Sequence, residues 1–401
     1  MNERPTFDIL ELVFIANPNY ELVLFDRLPA QQRKILKDLR KDPNFYGILR
    51  PLEKSSLGVK SVSRDTALLY FTLKEPGRLP EFVRATLGGQ CNQEITRLVL
   101  DSVLAIERDG KFVSGPEAAR LIFGEGEELP AGRTVERLSL EALLYGQSLG
   151  LRDPMALSSR LYAYNRTPLS PYWSRILPDA DAVAKYLRIQ DRPIRELLDR
   201  EWSSVPNHAA GDSWLAWHSR RSGTRITLGD RGSLLCKLYI SPRTEFLPES
   251  LPLILNVLTR MRVQHFKIGK DASGLLRPDK MVAYFSSYDH LMATAEELRK
   301  ELAGCSPQGV PFTAELAGDG LLSWGVDPPP DEQAPPWIGR ESWRLWVTNR
   351  LAVALIEAGG DNSGSLEPWQ FALRRLQLEG VNTRSWIPAE ADWKHRCGAE
   401  N

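Results

Sequence analysis

Four cations in the second half of the chain have types and spacings suited to work on an anion. Lys237 lies in the run Leu234-Leu-Cys-Lys-Leu-Tyr-Ile-Ser241 and Lys267 in Gln264-His-Phe-Lys-Ile268. Arg277 leads into Lys280-Met-Val-Ala-Tyr-Phe285. Each run has the aromatic, β-branched and alternating content of a strand. A cation buried on a sheet among apolar neighbours is costly unless it is paired. A phosphate or carboxylate held between the strands relieves that cost, and Arg can clamp it through two parallel hydrogen bonds. Crowding also lowers a lysine's pKa, because a neighbouring positive charge and loss of water both disfavour the ammonium form. One of these lysines can therefore serve as a general base. Taken singly, the residues read more plainly: Lys267 as a snorkelling strand lysine, Arg277-Pro-Asp279 as a turn with a local ion pair, Tyr239 as a packing aromatic. The expectation of a site rests on their joint occurrence.

Charge distribution points the same way. The chain is neutral overall, yet between His218 and Lys280 there are twelve Lys or Arg against five Asp or Glu. Such a local excess favours an anion site over a generic nucleic-acid surface. No P-loop, no dinucleotide-binding glycine pattern after a strand and no G-x-S-x-G elbow is present, so the kinase, oxidoreductase and α/β-hydrolase readings lack their anchors. The four cysteines form no C-x-x-C pair and the five histidines no metal-binding spacing. A zinc site, a disulfide framework and a bound cofactor are therefore not expected. Cys236, inside a strand pattern, reads as a small buried hydrophobe.

Elements must position these residues. With 401 residues, 42% of them hydrophobic and 25% charged, the chain has an average globular composition and room for two or three domains. The best candidate for a membrane span, Ala67 to Leu73, is far too short. Met1-Asn2-Glu3-Arg4-Pro5 opens no signal core, so a cytoplasmic protein with no membrane contact is expected. In residues 1–125, Glu21 to Phe25 reads as a strand and Pro29 to Arg40 as a helix. Residues 94 to 104 read as an amphipathic helix, followed by a hairpin turning at Asp109-Gly110. Helix then hairpin closes a winged-helix unit. Its helix carries only Arg97 against Glu94 and Asp101, which disfavours nucleic acid and favours packing or peptide docking. Residues 126–205, with Gly and Pro breaks, read as a helical connector. In residues 206–401 the strands alternate with helices at 251–262, opened by Pro252, and at 288–302. A proline-rich stretch from 326 leads into a helix at 341–358. The whole reads as α+β: a winged-helix-like domain, a helical connector and an α/β domain.

The order of these motifs resembles the phosphothreonine lyase superfamily, which includes type III effector lyases and the lyase domains of class III and class V lanthipeptide synthetases. Lys237-Leu-Tyr-Ile-Ser241, Phe266-Lys-Ile268 and Arg277-Pro-Asp-Lys-Met-Val-Ala-Tyr-Phe285 carry the resemblance. Gly309-Val-Pro-Phe-Thr313, and Asp327-Pro328 before Glu341-Ser-Trp-Arg344, look most like the HopA-like effector branch. It covers about residues 230 to 355. It implies elimination of phosphate from phosphothreonine or phosphoserine, with Lys267 as base and Lys237, Arg277 and Lys280 as phosphate ligands. Arg344 and Arg350, six apart on one helix, are candidates for the last phosphate-binding arginine. The effector lyases place a histidine acid two residues after the first lysine, where this chain has Tyr239. A phenol with a pKa near 10 is a slower acid at neutral pH unless cations lower it.

The leading expectation is a lyase converting phosphorylated residues of a ribosomally made precursor peptide to dehydroamino acids. A separate kinase would supply its substrate and the first domain would dock the peptide. The alternative, from another class, is a non-catalytic partner that binds the phosphopeptide or leader. An RNA-binding protein is a third and weaker reading, favoured only by the eleven tryptophans and the basic stretch.

Overall fold

Alternation along the chain builds one antiparallel sheet in the second half. The computed structural model describes residues 8–52, 57–124, 132–205, 214–221, 236–328, 341–359 and 366–388. Seven strands pair in the order Ala314–Glu315, Leu322–Val326, Cys236–Ile240, Met281–Phe285, His265–Gly269, Trp214–Ser219 and Trp202–Ser204. Every neighbouring pair is antiparallel.

The register decides which residues share a face. Lys237 stands opposite Tyr284, Tyr284 opposite His265, and His265 opposite His218. Two residues along, Tyr239 stands opposite Val282 and Val282 opposite Lys267. Because side chains two apart point the same way, these residues occupy one face. The other face is apolar: Leu238, Ile240, Phe266, Ile268, Met281, Ala283 and Phe285 are buried in the main core. The helices Leu247–Arg260 and Tyr288–Glu301 send Leu251, Ile254, Leu258, Leu291 and Leu298 into that same cluster. Each such side chain, fully buried, contributes roughly 1.5–3 kcal/mol. A slip of one residue would push Lys237 and Lys267 into the core, so burial of the apolar face fixes where the cations point.

The first half carries two smaller sheets. One pairs Gly77–Arg78, Val13–Ala16, Leu104–Arg108 and Lys111–Val113; the other pairs Tyr20–Leu24, Phe45–Pro51 and Lys60–Ser63. The hairpin turns as the Asp-Gly pair requires, with Asp109 at φ 52 and Gly110 at φ 76. Its preceding helix is Cys91–Leu100. That helix stops short of residue 104 because Ser102, at φ 55, turns the chain into the strand. Between the halves lie the helices Thr134–Ser148, Pro154–Tyr162, Pro171–Ile176, Ala180–Tyr186 and Arg192–Glu201. One apolar cluster runs from Ile9 to Trp386, so the halves share a core.

Some boundaries differ from those read in the sequence. The helix expected from 251 begins at Leu247, with Pro248 in its first turn, where a missing N–H is harmless. Pro252 falls inside it. Its lost backbone bond is offset by burial of the flanking Leu251, Ile254 and Leu255. The Pro29–Arg40 stretch splits into the α-helix Ala30–Ile35 and the 3-10 segment Lys37–Lys41. The last long helix is Trp343–Gly359. Leu234, Leu235, the later prolines of the 326–336 stretch and the residues at 125–126 and 206 lie outside the described residues. Among the described residues no helix is long and apolar enough to cross a membrane.

Candidate functional site

Three of the four cations named from the sequence meet around two shared aromatic rings on the polar face. Lys237 Nζ and Lys267 Nζ each lie 5.7 Å from the centre of the Tyr284 ring. Lys267 Nζ also sits 4.2 Å over Trp214, and the Arg277 guanidinium lies 5.0 Å over that same indole. Ring faces attract cations, more so where water is excluded, so the rings form a floor along which the three charges are arranged. Lys237 is buried and paired with Asp327. Asp327 also accepts from the Trp343 backbone N–H at 3.1 Å, which ties the sheet to the start of the Trp343–Gly359 helix. Gly325, opposite Lys237, must be glycine: a Cβ there would come within 2.6 Å of the Trp343 indole.

Arg277 belongs to a second, tighter group. Its Nε and Nη2 each donate to Asp279 at 2.9 Å, and Nη2 also donates to the Tyr162 hydroxyl at 3.0 Å. That hydroxyl donates onward to Asp279 Oδ2 at 3.0 Å. Arg344, fully buried, places Nη1 2.8 Å from Asp279 Oδ2. The angle there makes an ion pair without a hydrogen bond, leaving Nη1 unsatisfied. Burial alone would raise the Asp279 carboxyl; the guanidinium groups of Arg344 and Arg277 outweigh it and hold it far below the usual carboxylate range. One carboxylate facing two guanidiniums leaves this group a net positive charge.

The remaining candidates are placed as follows. Tyr239 is buried on the same face. Burial, reinforced by Asp327 and Tyr162, pushes its pKa well above 10, so the cations do not turn this phenol into a neutral-pH acid. Lys280, fully buried, donates to the Pro242 carbonyl at 2.9 Å and to the Gln308 side chain. Burial pulls its pKa down to about 7. Arg350 stands over the Trp346 ring at 3.9 Å with Glu341 3.5 Å away, and is not brought to Asp279 as Arg344 is. Six residues along a helix turn the two arginines to different sides.

Several participants were not singled out in the sequence. Tyr284 and Asp279 lie inside quoted runs; Asp279 follows from the Arg-Pro-Asp turn, while Tyr284 meets Lys237 only through the pairing of two strands. Trp214 sits on a strand that the sequence reading left unassigned. His265 faces Tyr284 at 4.8 Å and His218 at 4.4 Å. Burial, with His218 and Lys267 nearby, lowers its pKa to about 3, so it is neutral, and among the described residues its buried Nδ1 has no hydrogen-bond partner. Tyr162 lies in the run Ser158 to Arg166, which by its aromatics could be a ligand surface but reads more readily as core packing; it stands more than a hundred residues before Arg277, and no local signal ties the two together.

No family model matches the chain, and no curated protein does so significantly. Among solved structures, the effector protein from Pseudomonas syringae pv. syringae strain 61 matches with a TM-score of 0.40 at 11% identity, over 65% of this chain and 100% of that one. The effector from Pseudomonas syringae pv. tomato strain DC3000 matches with a TM-score of 0.36 at 10% identity, over 64% and 99%. The type III effector and phosphothreonine lyase OspF from Shigella flexneri matches with a TM-score of 0.23 at 15% identity, over 45% and 90%. At identities and TM-scores this low, what this chain does has to be argued from its own side chains. In structure the chain is similar to these effector proteins and to the phosphothreonine lyase OspF.

Proposed function

We propose that this chain is a lyase that eliminates phosphate from phosphothreonine or phosphoserine in a peptide. The observation that carries the reading is the convergence of Lys237, Lys267 and Arg277 on the shared rings of Tyr284 and Trp214. Lys267 takes the α-proton. The electrons of that C–H bond form the Cα–Cβ double bond, the Cβ–O bond breaks, and phosphate leaves with its electron pair. Lys237 and Arg277 hold the phosphoryl oxygens and stabilise the charge that grows on them. Arg344 acts from behind Arg277 through Asp279. Tyr239, kept neutral, offers the leaving oxygen a hydrogen bond. The substrate we favour is a ribosomally made precursor peptide phosphorylated by a separate kinase. The helix and hairpin of the first domain, a winged-helix-like unit in this reading, would dock its leader by strand addition.

Incubation with a phosphothreonine peptide tests this directly: mass spectrometry should show loss of one phosphoric acid. An intact peptide after prolonged incubation overturns the catalytic reading. The raised pKa of Tyr239 favours a second reading, a non-catalytic protein that binds phosphopeptide. Retained binding without mass loss selects it.

A further inference from the structure

Tyr162 ends the Pro154–Tyr162 helix, outside the sheet and outside the motifs that carry the resemblance, yet it touches both arginines of the buried group. Its ring lies 4.3 Å from the Arg344 guanidinium and 5.4 Å from that of Arg277. Its carbonyl accepts from Arg344 Nη2 at 2.8 Å. Its hydroxyl accepts from Arg277 Nη2 and donates to Asp279, each at 3.0 Å. We propose that Tyr162 is a positioning residue that aims Arg277 at the phosphoryl group, an inference that rests on the phosphate site proposed above.

A count of hydrogens supports this. Arg277 carries five N–H groups. The Nε hydrogen goes to Asp279 Oδ1, and the two on Nη2 go to Asp279 Oδ2 and Tyr162. Both hydrogens of Nη1 remain, and among the described residues nothing accepts them. The Arg277 side chain is 22% exposed and its guanidinium lies over the Trp214 ring, so these hydrogens are left for a ligand on that face. Without the hydroxyl, Asp279 alone would hydrogen-bond the guanidinium, and the direction of the Nη1 donors would be less firmly fixed. The segment bearing Tyr162 is anchored well enough to act as a template. Asp153 caps its helix, and Ser158 Oγ bonds Thr348 and Asn349 beside Arg344. Asn165 donates to the carbonyls of Gln308 and Gly309, while Thr167 N–H donates to the carbonyl of Leu276, next to Arg277. The helical connector is thereby a wall of the site.

The experiment compares the full-length protein with Tyr162→Phe, which keeps the ring and removes only the hydroxyl. Steady-state kinetics on a phosphothreonine peptide and calorimetric titration with inorganic phosphate are the two readouts. The expected result is a KM about tenfold higher and phosphate binding about tenfold weaker, a loss of about 1.4 kcal/mol, with kcat within about threefold of the parent. A general loosening of structure would lower kcat and thermal midpoint together instead. Unchanged KM and phosphate affinity overturn the positioning role, even where elimination itself is established. Phosphate binding that weakens in Tyr162→Phe while the parent shows no turnover sinks the lyase reading and leaves the positioning role standing. A parent that neither binds phosphate nor turns over the peptide overturns both.

Discussion

Lys267 lies against two ring faces and also favours the neutral state of His265, so its charge is felt on both sides of its strand. In the role of base, Lys267→Ala removes elimination entirely while leaving phosphopeptide binding measurable; turnover that survives this change takes the residue out of the proton transfer. Tyr239 gives a pH test. Its pKa lies well above 10, so the parent and Tyr239→Phe should share one alkaline limb in kcat. A limb near pH 10 that vanishes in the variant would place phenol ionisation in the reaction. Lys280 gives a stability test. Its pKa falls from 10.5 unfolded to about 7 folded, mainly through burial. Between those values the unfolded chain binds a proton that the folded one does not, so stability rises with pH from about 7 to 10.5. The neutral amine's two N–H groups match its two acceptors, the Pro242 carbonyl and the Gln308 side chain. Lys280→Met should flatten this slope in thermal melts taken from pH 7 to 10; an identical slope would assign it to another group.

At the scale of elements, the site depends on two-sided packing of one sheet. The apolar face sets the register, and the Trp343–Gly359 helix comes down on the polar face at Gly325. Gly325→Ala would put a Cβ 2.6 Å from Cδ1 of the buried Trp343. The helix start would have to move, with it the N–H that holds Asp327 against Lys237. A loss of about 1–3 kcal/mol in denaturant unfolding is expected, typical of overpacking, together with weaker phosphate binding. Unchanged stability would mean the indole rotates away at little cost.

At the scale of the molecule, the first half is joined to the last helices by charge as well as by the shared core. Arg375, on Pro368–Leu378, bonds both oxygens of Asp101 at 2.6 and 2.8 Å, just after the Cys91–Leu100 helix. Lys60 pairs with Glu357 on the Arg344 helix. Asp101→Asn leaves the Arg375 charge with Glu379 alone. Since both groups are partly exposed, a loss of about 2 kcal/mol is expected, below the cost of breaking a fully buried pair. Because the apolar cluster is continuous, calorimetry should show that loss as a shift of one unfolding transition. Two separate transitions, only one of them shifted, would mean the halves unfold independently.

The sequence by itself determined what depends on local pattern. Alternation gave the Lys237, Lys267 and Met281–Phe285 strands, Asp-Gly gave the hairpin, and the basic excess marked the region where Lys237, Lys267 and Arg277 meet. Tertiary structure alone decided the rest, because it depends on contacts between segments far apart in the chain. It assigned Arg344 rather than Arg350 to Asp279, gave Lys280 carbonyl and amide partners, and buried Tyr239, near Asp327 and a second phenol, so that its pKa rises. It also brought Tyr162 from the connector to complete the hydrogen bonds of Arg277. A side chain's neighbours along the chain set its direction, but only packing chooses which distant group lies at its end.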